Sequence, residues 1–503
     1  MQANVIKREL VQRKNIYEGV TEIGVQSDIV LPDYCGDIER ILKCTLVPRL
    51  SGKRVESQRL SVSGTGFLRM VYLTAEGKVD SFETQIPFSK NIDMQEGGEN
   101  IGIKVTLCTD YSNCRAVSPR RFEVHAAIKM KAKVSAGCST YFAQDIDEKG
   151  VEIRKTSIDA IIPIASVCEN FTVMEEYELS GAPISSVVRM SANPAVSEYK
   201  IISGKIIVKG DVALDIVYLS EDSDRLQSVK YNIPVNHILS ANGAEEGDGA
   251  EVRLDICRMS AEPTRHGDNN ELVVEVLLEA CAEVSRKENI EAAIDAYCVG
   301  FESNCSRNNT SFTILEQTVN KMHSISITPE TDGGEILDVF AEAKNAFSKV
   351  NEQGEVMLSA DVTAAALCKN QDGEVYMREK TVPIEFSLAA DPDFAGADLD
   401  GDVSLRSAEI SGGKNSVSVS LLGSCTISKN KELPLISEME ILSDSPLAKD
   451  PKTAMTIYFA DAGEDIFDIA KRYNTSARAV MEQNDLSGSS ITSQRTILIP
   501  MVR

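Results

Sequence analysis

Apolar and polar residues alternate along most of this chain. Between Phe122 and Val134, the even positions Phe122, Val124, Ile128, Met130 and Val134 are apolar and most odd ones are charged. Lys205–Tyr218 and Ser416–Leu421 alternate in the same way. A period of two with one polar face predicts half-buried strands in antiparallel sheets. Clusters such as Asn370-Gln371-Asp372-Gly373 and Glu245-Glu246-Gly247-Asp248-Gly249 supply the turns between them. Helical spacing occurs at the two ends. Val5, Ile6, Leu10 and Val11 predict a short helix within residues 1–19. Near the other end, Ile466, Phe467, Ile469, Ala470 and Tyr473 form a second apolar stripe.

The alternating region repeats itself. Ser61–Leu73 resembles Ile207–Leu219, with Gly64 and Gly210 aligned and a Val-Tyr-Leu triplet at 71–73 and 217–219. Ile86-Pro87-Phe88 and Ile233-Pro234-Val235 follow at similar distances, and Pro marks an edge strand. A weaker third copy is Ser359–Leu367, followed by Val382-Pro383-Ile384. Phe171-Thr172-Val173 is echoed by Phe312-Thr313-Ile314, and Ile158-Asp159-Ala160 by Ile294-Asp295-Ala296. These echoes place three β-rich units at 20–170, 171–315 and 316–445, each large enough for its own core. A polar linker at 446–454 leads to a last module, 455–503. There a strand at Thr456–Phe459 precedes the apolar stripe, Ser476 caps a second helix, and Thr496–Pro500 forms a closing strand. The predicted fold is mainly β, three antiparallel repeats and then a small βααβ unit.

Acidic residues outnumber basic ones 76 to 52, a net charge of −24 that argues against general nucleic-acid or anionic-lipid binding. The four His stand singly. Twelve Cys include no CxxC pair, and Cys108-x5-Cys114 and Cys298-x6-Cys305 are weak zinc signals, so no metal and no cofactor are expected. The first fifteen residues have no apolar signal region and no run is long enough to span a membrane. The expected compartment is a reducing cytosol, with most Cys as small buried hydrophobes.

The last module carries Gly463-Glu464-Asp465-Ile466-Phe467, Tyr473-Asn474-Thr475, Asn484 and Ile499-Pro500 in the order of a LysM module, which it resembles. In that family N-acetylglucosamine polymers lie between the loop after the first strand and the loop after the second helix. The resemblance implies a groove of Gly463, Glu464, Asp465, Ile466, Phe467, Asn484, Asp485, Leu486 and Ile491. The usual Gly-Asp-Thr is here Gly463-Glu464-Asp465, and the usual Tyr-Pro-Gly-Gln is Thr492-Ser493-Gln494-Arg495. These departures favour a protein partner over a glycan on the same surface.

Asp28–Leu42 (DIVLPDYCGDIERIL) matches the opening D-I-x-L-P-x-Y-C-x-D-I-x-R-I-L of SPOCS domains, and Ile294-Asp295-Ala296-Tyr297 resembles their D-A-Y turn. SPOCS domains occur in sporulation proteins of Clostridia and related Firmicutes. SPOCS repeats before one LysM module resemble the spore-coat morphogenetic proteins that interact with stage IV sporulation protein A. The resemblance implies a non-enzymatic scaffold in the mother-cell cytoplasm and then at the forespore surface. Its partners would be a coat-basement ATPase of that type and other coat proteins, with peptidoglycan as the alternative ligand. Catalytic signatures are missing: there is no Walker Gly-Lys-Ser/Thr, G-x-S-x-G or helix-opening G-x-G-x-x-G. Cys35 lies among Asp33, Tyr34 and Asp37 without a neighbouring His or Lys, so it reads as a buried turn residue, with Asp37 capping the run after it. Adjacent Glu464 and Asp465 seldom face one another as a glycosidase pair must.

Overall fold

The computed structural model describes every residue except 180–183, 221–222, 267–268, 412–414, 448–454 and 501–503. Three units share one plan, two three-stranded antiparallel sheets each. In the first unit, β1 (Val5–Val30), β6 (Arg121–Ile146) and β5 (Glu99–Ser118) pair in that order, and β2 (Ile38–Glu56), β3 (Arg59–Thr74) and β4 (Val79–Asp93) form the second sheet. The second unit repeats this with β7 (Val151–Leu179), β12 (Asn269–Cys298) and β11 (Gly249–His266) against β8 (Ile184–Ile202), β9 (Lys205–Ser220) and β10 (Ser223–Ser240). The third pairs β13 (Phe301–Ile327), β18 (Val417–Pro446) and β17 (Asp398–Ile410), with β14 (Glu335–Val350), β15 (Glu355–Lys369) and β16 (Val375–Ala390) opposite.

Alternation explains the cores. On β9, Ile206, Val208, Val212, Leu214 and Ile216 are buried, and on β3 Leu60, Val62, Leu68 and Met70 are. Each set faces the other sheet of its sandwich. The shared glycine is a point of close approach: a Cβ on Gly64 would lie 2.5 Å from the Arg49 carbonyl oxygen, and one on Gly210 2.2 Å from that of Ala195.

The first and last strands of each unit outrun the sandwich. Pairing slips by one residue between Asn15 and Tyr17, between Pro163 and Ala165, and between Thr313 and Leu315. Each slip leaves out an isoleucine: Ile16, Ile164 and Ile314. A bulge bends its strand. Beyond it, three two-stranded ribbons converge into a common hub. Leu10 and Phe142 of the first unit meet Ile158 and Ile290 of the second and Phe312 and Leu435 of the third. The Phe142 and Phe312 rings meet edge-on at 6.0 Å. A second layer joins Ala143 and Ile146, Ala296 and Cys298, and Met439 and Ile441.

This hub corrects the expected helix at 1–19. Those residues open β1, where Val5 pairs with Ile146 and Leu10, 3% exposed, enters the hub. Tertiary pairing overrides a short pattern that fits either period. The limits at 170 and 315 fall inside β7 and β13, whose pairing continues across them. Phe171 lies beyond the second unit's bulge, whereas Phe312 lies before the third's in the hub, so their sequence echo does not mark equivalent positions. Asp37 caps no helix, because the run after it begins β2. The 446–454 linker falls largely on residues 448–454, outside the described residues.

The last module is the βααβ unit read from the sequence: β19 (Met455–Ala460), α1 (Ile466–Arg472), α2 (Ala477–Gln483) and β20 (Arg495–Pro500). The side chain of Asp465 accepts from the Phe467 N–H, and Ser476 accepts from the Ala479 N–H, capping the two helices. Among the described residues, no helix is long and apolar enough to cross a membrane.

Candidate functional site

The predicted groove is built on two loops that are tied together. The Gly463 N–H donates to the Ile491 carbonyl at 2.7 Å, the Ile491 N–H to that of Glu464 at 2.8 Å, and the Ile466 N–H to that of Ser489 at 2.7 Å. Gly463 has φ +92°, a conformation that favours glycine. Burial then separates the nine predicted residues. Ile466 and Ile491 are each 1% exposed, and Phe467 is buried beside them in the module's core. Asn484 is buried too. Its amide nitrogen donates to the Val480 and Leu498 carbonyls and its oxygen accepts from the Leu498 N–H, fastening α2 to β20. Gly463 and Asp485 lie exposed along the loops; Glu464, Asp465 and Leu486 are half-buried.

The two adjacent carboxylates have separate duties. Glu464 accepts from the Tyr458 hydroxyl at 2.7 Å and the Asp461 N–H at 3.0 Å, and the Tyr458 bond is the main cause holding its carboxyl below the usual range. Asp465 caps α1 and accepts from Arg154 at 3.0 Å. They do not form an acid–base pair across a cleft.

The module is seated firmly on the second unit's end of the hub. Arg154 pairs with Asp465 and Asp468 and lies 4.5 Å over the Phe467 ring. Lys471 donates to both oxygens of Asp295, at 2.7 and 2.6 Å. The Tyr297 hydroxyl donates to the Thr475 carbonyl at 2.7 Å, and Asn474 bridges the Cys298 carbonyl and the Gly300 N–H. Sequence reasoning singled out Asp295 and Tyr297 only as a turn signature. Their partners lie some 180 residues away, and no local signal announces that. On the sheet face opposite the helices, Met455, Ile457 and Phe459 are 40%, 61% and 74% exposed, an apolar strip the sequence reading did not single out.

Residues 37–116 and 183–264 match the family model described as SipL, SPOCS domain, and residues 462–500 match that of the LysM domain. The chain carries SPOCS domains and a C-terminal LysM domain. No curated protein and no solved structure matches it significantly. The two SPOCS matches begin at the entry to β2 and β8 and end on β5 and β11. Residues 335–410 of the third unit repeat the same strands without a family match. These domains belong to non-catalytic types, and they mark a sporulation-related protein with a module of the peptidoglycan-binding kind.

The SPOCS opening loop is structural. Arg120 donates to the carbonyls of Pro32 (2.6 Å), Cys35 (3.3 Å) and Leu31 (3.4 Å) and to the Asp37 carboxylate (3.0 Å). Cys35 is buried, and burial, with Asp80 nearby, pushes its thiol up, away from the thiolate a nucleophile needs. Tyr34 is 85% exposed.

Cysteine usage departs from expectation in one respect. Cys44 is bonded to Cys114, joining the two sheets of the first unit, and Cys168 to Cys281 across β7 and β12. The Cys298 and Cys305 thiols each meet a backbone carbonyl, at 3.8 and 3.4 Å. The cluster of Cys168, Glu279 and Cys281 gathers ligand-type atoms, but both of its sulfurs are spent on their mutual bond.

Proposed function

We propose that this protein is a non-enzymatic scaffold of spore-coat morphogenesis. In this reading it works from the mother-cell cytoplasm at the forespore surface and docks, through its LysM domain, on a coat-basement ATPase of the stage IV sporulation protein A type. The observation that carries the docking is the LysM geometry. A module gripped by Arg154, Asp295 and Tyr297 presents Ile457 and Phe459 outward, and exposed aromatic and aliphatic side chains on a rigid support suit a protein partner. Three of the groove's apolar residues are committed to the core, which leaves little side-chain surface for a sugar.

Peptidoglycan remains the second reading, favoured by the LysM match and by the exposed loop positions Gly463 and Asp485. One experiment separates them. The full chain and its Ile457→Asp/Phe459→Asp variant are tested for capture by the purified ATPase and by peptidoglycan sacculi. Capture by the ATPase that the double variant loses, without retention on sacculi, supports docking through the strip. Retention on sacculi alone, unchanged in the variant, makes glycan anchoring the function.

A further inference from the structure

A chamber of about 830 Å³ lies where the three β-rich units face one another, lined by β2, β5, β8, β9, β14 and β17 among others. That volume falls within the range of about 300–1,000 Å³ typical of small-molecule sites. Leu46, Phe67, Met190, Tyr231, Met259 and Phe340 give it apolar walls. Val47 and Met322, on the same lining, keep 41% and 54% of their surface open, so apolar surface stands wetted inside the molecule.

The charges on this lining are nearly all matched. Lys43 pairs with Glu379, Arg69 with Glu83, Lys230 with Glu409 and Lys344 with Glu342. Arg189 is held by Asp338 and Asp215, and Arg406 by Asp211. Asp215 keeps a second oxygen buried without a partner, and Asp110, on an exposed stretch of β5, has no ion-pair partner among the described residues. Arg49 is the exception among the cations. Among the described residues its guanidinium makes no hydrogen bond or ion pair. The Arg49 side chain lines the chamber and is half-buried. Burial pushes its pKa down, to about 10, against the weaker pull of Asp255. Asp255 is already engaged by Arg253 at 2.7 Å. Even a half-buried guanidinium gains from a counter-charge that replaces part of its lost hydration.

We infer that the chamber binds a small organic carboxylate with an apolar body, the carboxylate taken by the guanidinium fork of Arg49. The fork matches a carboxylate in two parallel hydrogen bonds. Arg189 is shared by two carboxylates and Asp110 is unpaired, so the lining is acidic apart from Arg49, and a monoanion is favoured there over a phosphate dianion. The methionines at 190, 259 and 322 are soft, adaptable walls for an alkyl or aryl body.

The test is calorimetric titration of the full chain with decanoate, with decanol as the neutral analogue and decyl phosphate as the dianion. Decanoate is expected to bind once per chain, at least tenfold tighter than either of the others. Arg49→Met is expected to reduce decanoate to the level of decanol. Val47→Trp, which fills the chamber and leaves the charge in place, is expected to abolish binding of both. Should Arg49→Met fail to fold, Arg49→Lys decides, since it keeps the charge and loses the fork: several-fold weaker decanoate binding supports the assignment. Equal binding of decanoate and decanol by the wild type, or undiminished decanoate binding by the Arg49 and Val47 variants, overturns it. Tighter binding of decyl phosphate overturns the carboxylate class.

Discussion

At the hub the three units interlock through a large apolar cluster, whereas beside the chamber ion pairs join a much smaller one of Val71, Val188, Val217 and Phe340. Leu10, Phe142, Phe312 and Leu435 interlock where the ribbons converge. Farther out, Arg189 reaches from β8 into the third unit, donating through Nε and Nη2 to the two oxygens of Asp338 at 3.0 and 2.9 Å. Burial alone would lower the pKa of this guanidinium, but Asp338 and Asp215 more than reverse that, and it stays charged. Between the first and second units most cations belong to the first: Arg8, Arg13, Lys53 and Lys104 meet Glu288, Glu283, Glu279 and Glu251, while Lys155 of the second meets Asp145 of the first. Apolar contact is strong but tolerant of small shifts. Forked ion pairs demand one alignment. The charged contacts thus fix which face of each unit meets which.

The largest expected effect breaks the hub. Phe312→Ala should remove about 4 kcal/mol from the three-unit assembly, the usual cost of emptying a buried aromatic site. Urea unfolding followed by circular dichroism should then show separate transitions in place of a shared one. A variant that melts like the wild type would mean that the units do not depend on the hub.

Arg189→Met tests the charged contact. It leaves Asp338, 5% exposed, without its cation, and a loss of about 3 kcal/mol is expected. Adding Asp338→Leu should restore much of it in a double-mutant cycle. No coupling between the two positions would show that the pair does not hold the units in register.

Acid sharpens the same contrast. Asp400 joins the first and third units through Lys104 and Lys131. Burial raises its pKa, but the two lysines outweigh burial and hold the carboxyl well below its usual range. A depressed folded pKa gives stability that is present above the unfolded value, about 3.9, and lost as pH falls through the folded one. The melting temperature should therefore decline below about pH 4, and Asp400→Asn should flatten that decline. A variant with an unchanged acid limb would assign the decline to other groups.

The smallest effect concerns the seat of the LysM domain. Tyr297→Phe removes the hydrogen bond to Thr475 and keeps the ring against Phe467, at a cost of about 1 kcal/mol. Faster amide exchange at Asn474–Ser476, with the sandwich cores unchanged, is the expected reading. Unchanged exchange there would show that the remaining contacts suffice.

What the sequence disclosed follows the range of the interactions. Alternation at Ile206–Ile216 and the cap at Ser476 depend on neighbours a few residues away, and both were legible. The Val-Tyr-Leu triplets were legible because two units kept the same β3–β9 environment. Residues 5–15 were misread because their strand is imposed by residues 135–146, far along the chain. The unit limits were misread because the resemblance between Phe171 and Phe312 is local and fortuitous. The LysM motif located its loops, but a motif does not distinguish the Ile466 and Ile491 side chains that fill the core from the Ile457 and Phe459 side chains that face outward. Arg49 and Arg189 carry no signal at all in one sequence, since only the assembled chamber makes one unpaired and the other a keystone.

Each unit begins and ends at the hub: Val5 lies opposite Ile146, and Val151 opposite Cys298. Tandem copies of such a unit can be joined by a tight turn without lengthening any connection, as Val299-Gly300 joins the second to the third. The arrangement has the geometry of a ring of separate subunits, but a continuous chain fixes their number at three and frees each to diverge. Only the second ribbon carries Arg154, Asp295 and Tyr297 together, so a ring with three sites offers a single berth. One LysM seat for three units, pointing in one direction, is a property that three identical subunits could not have.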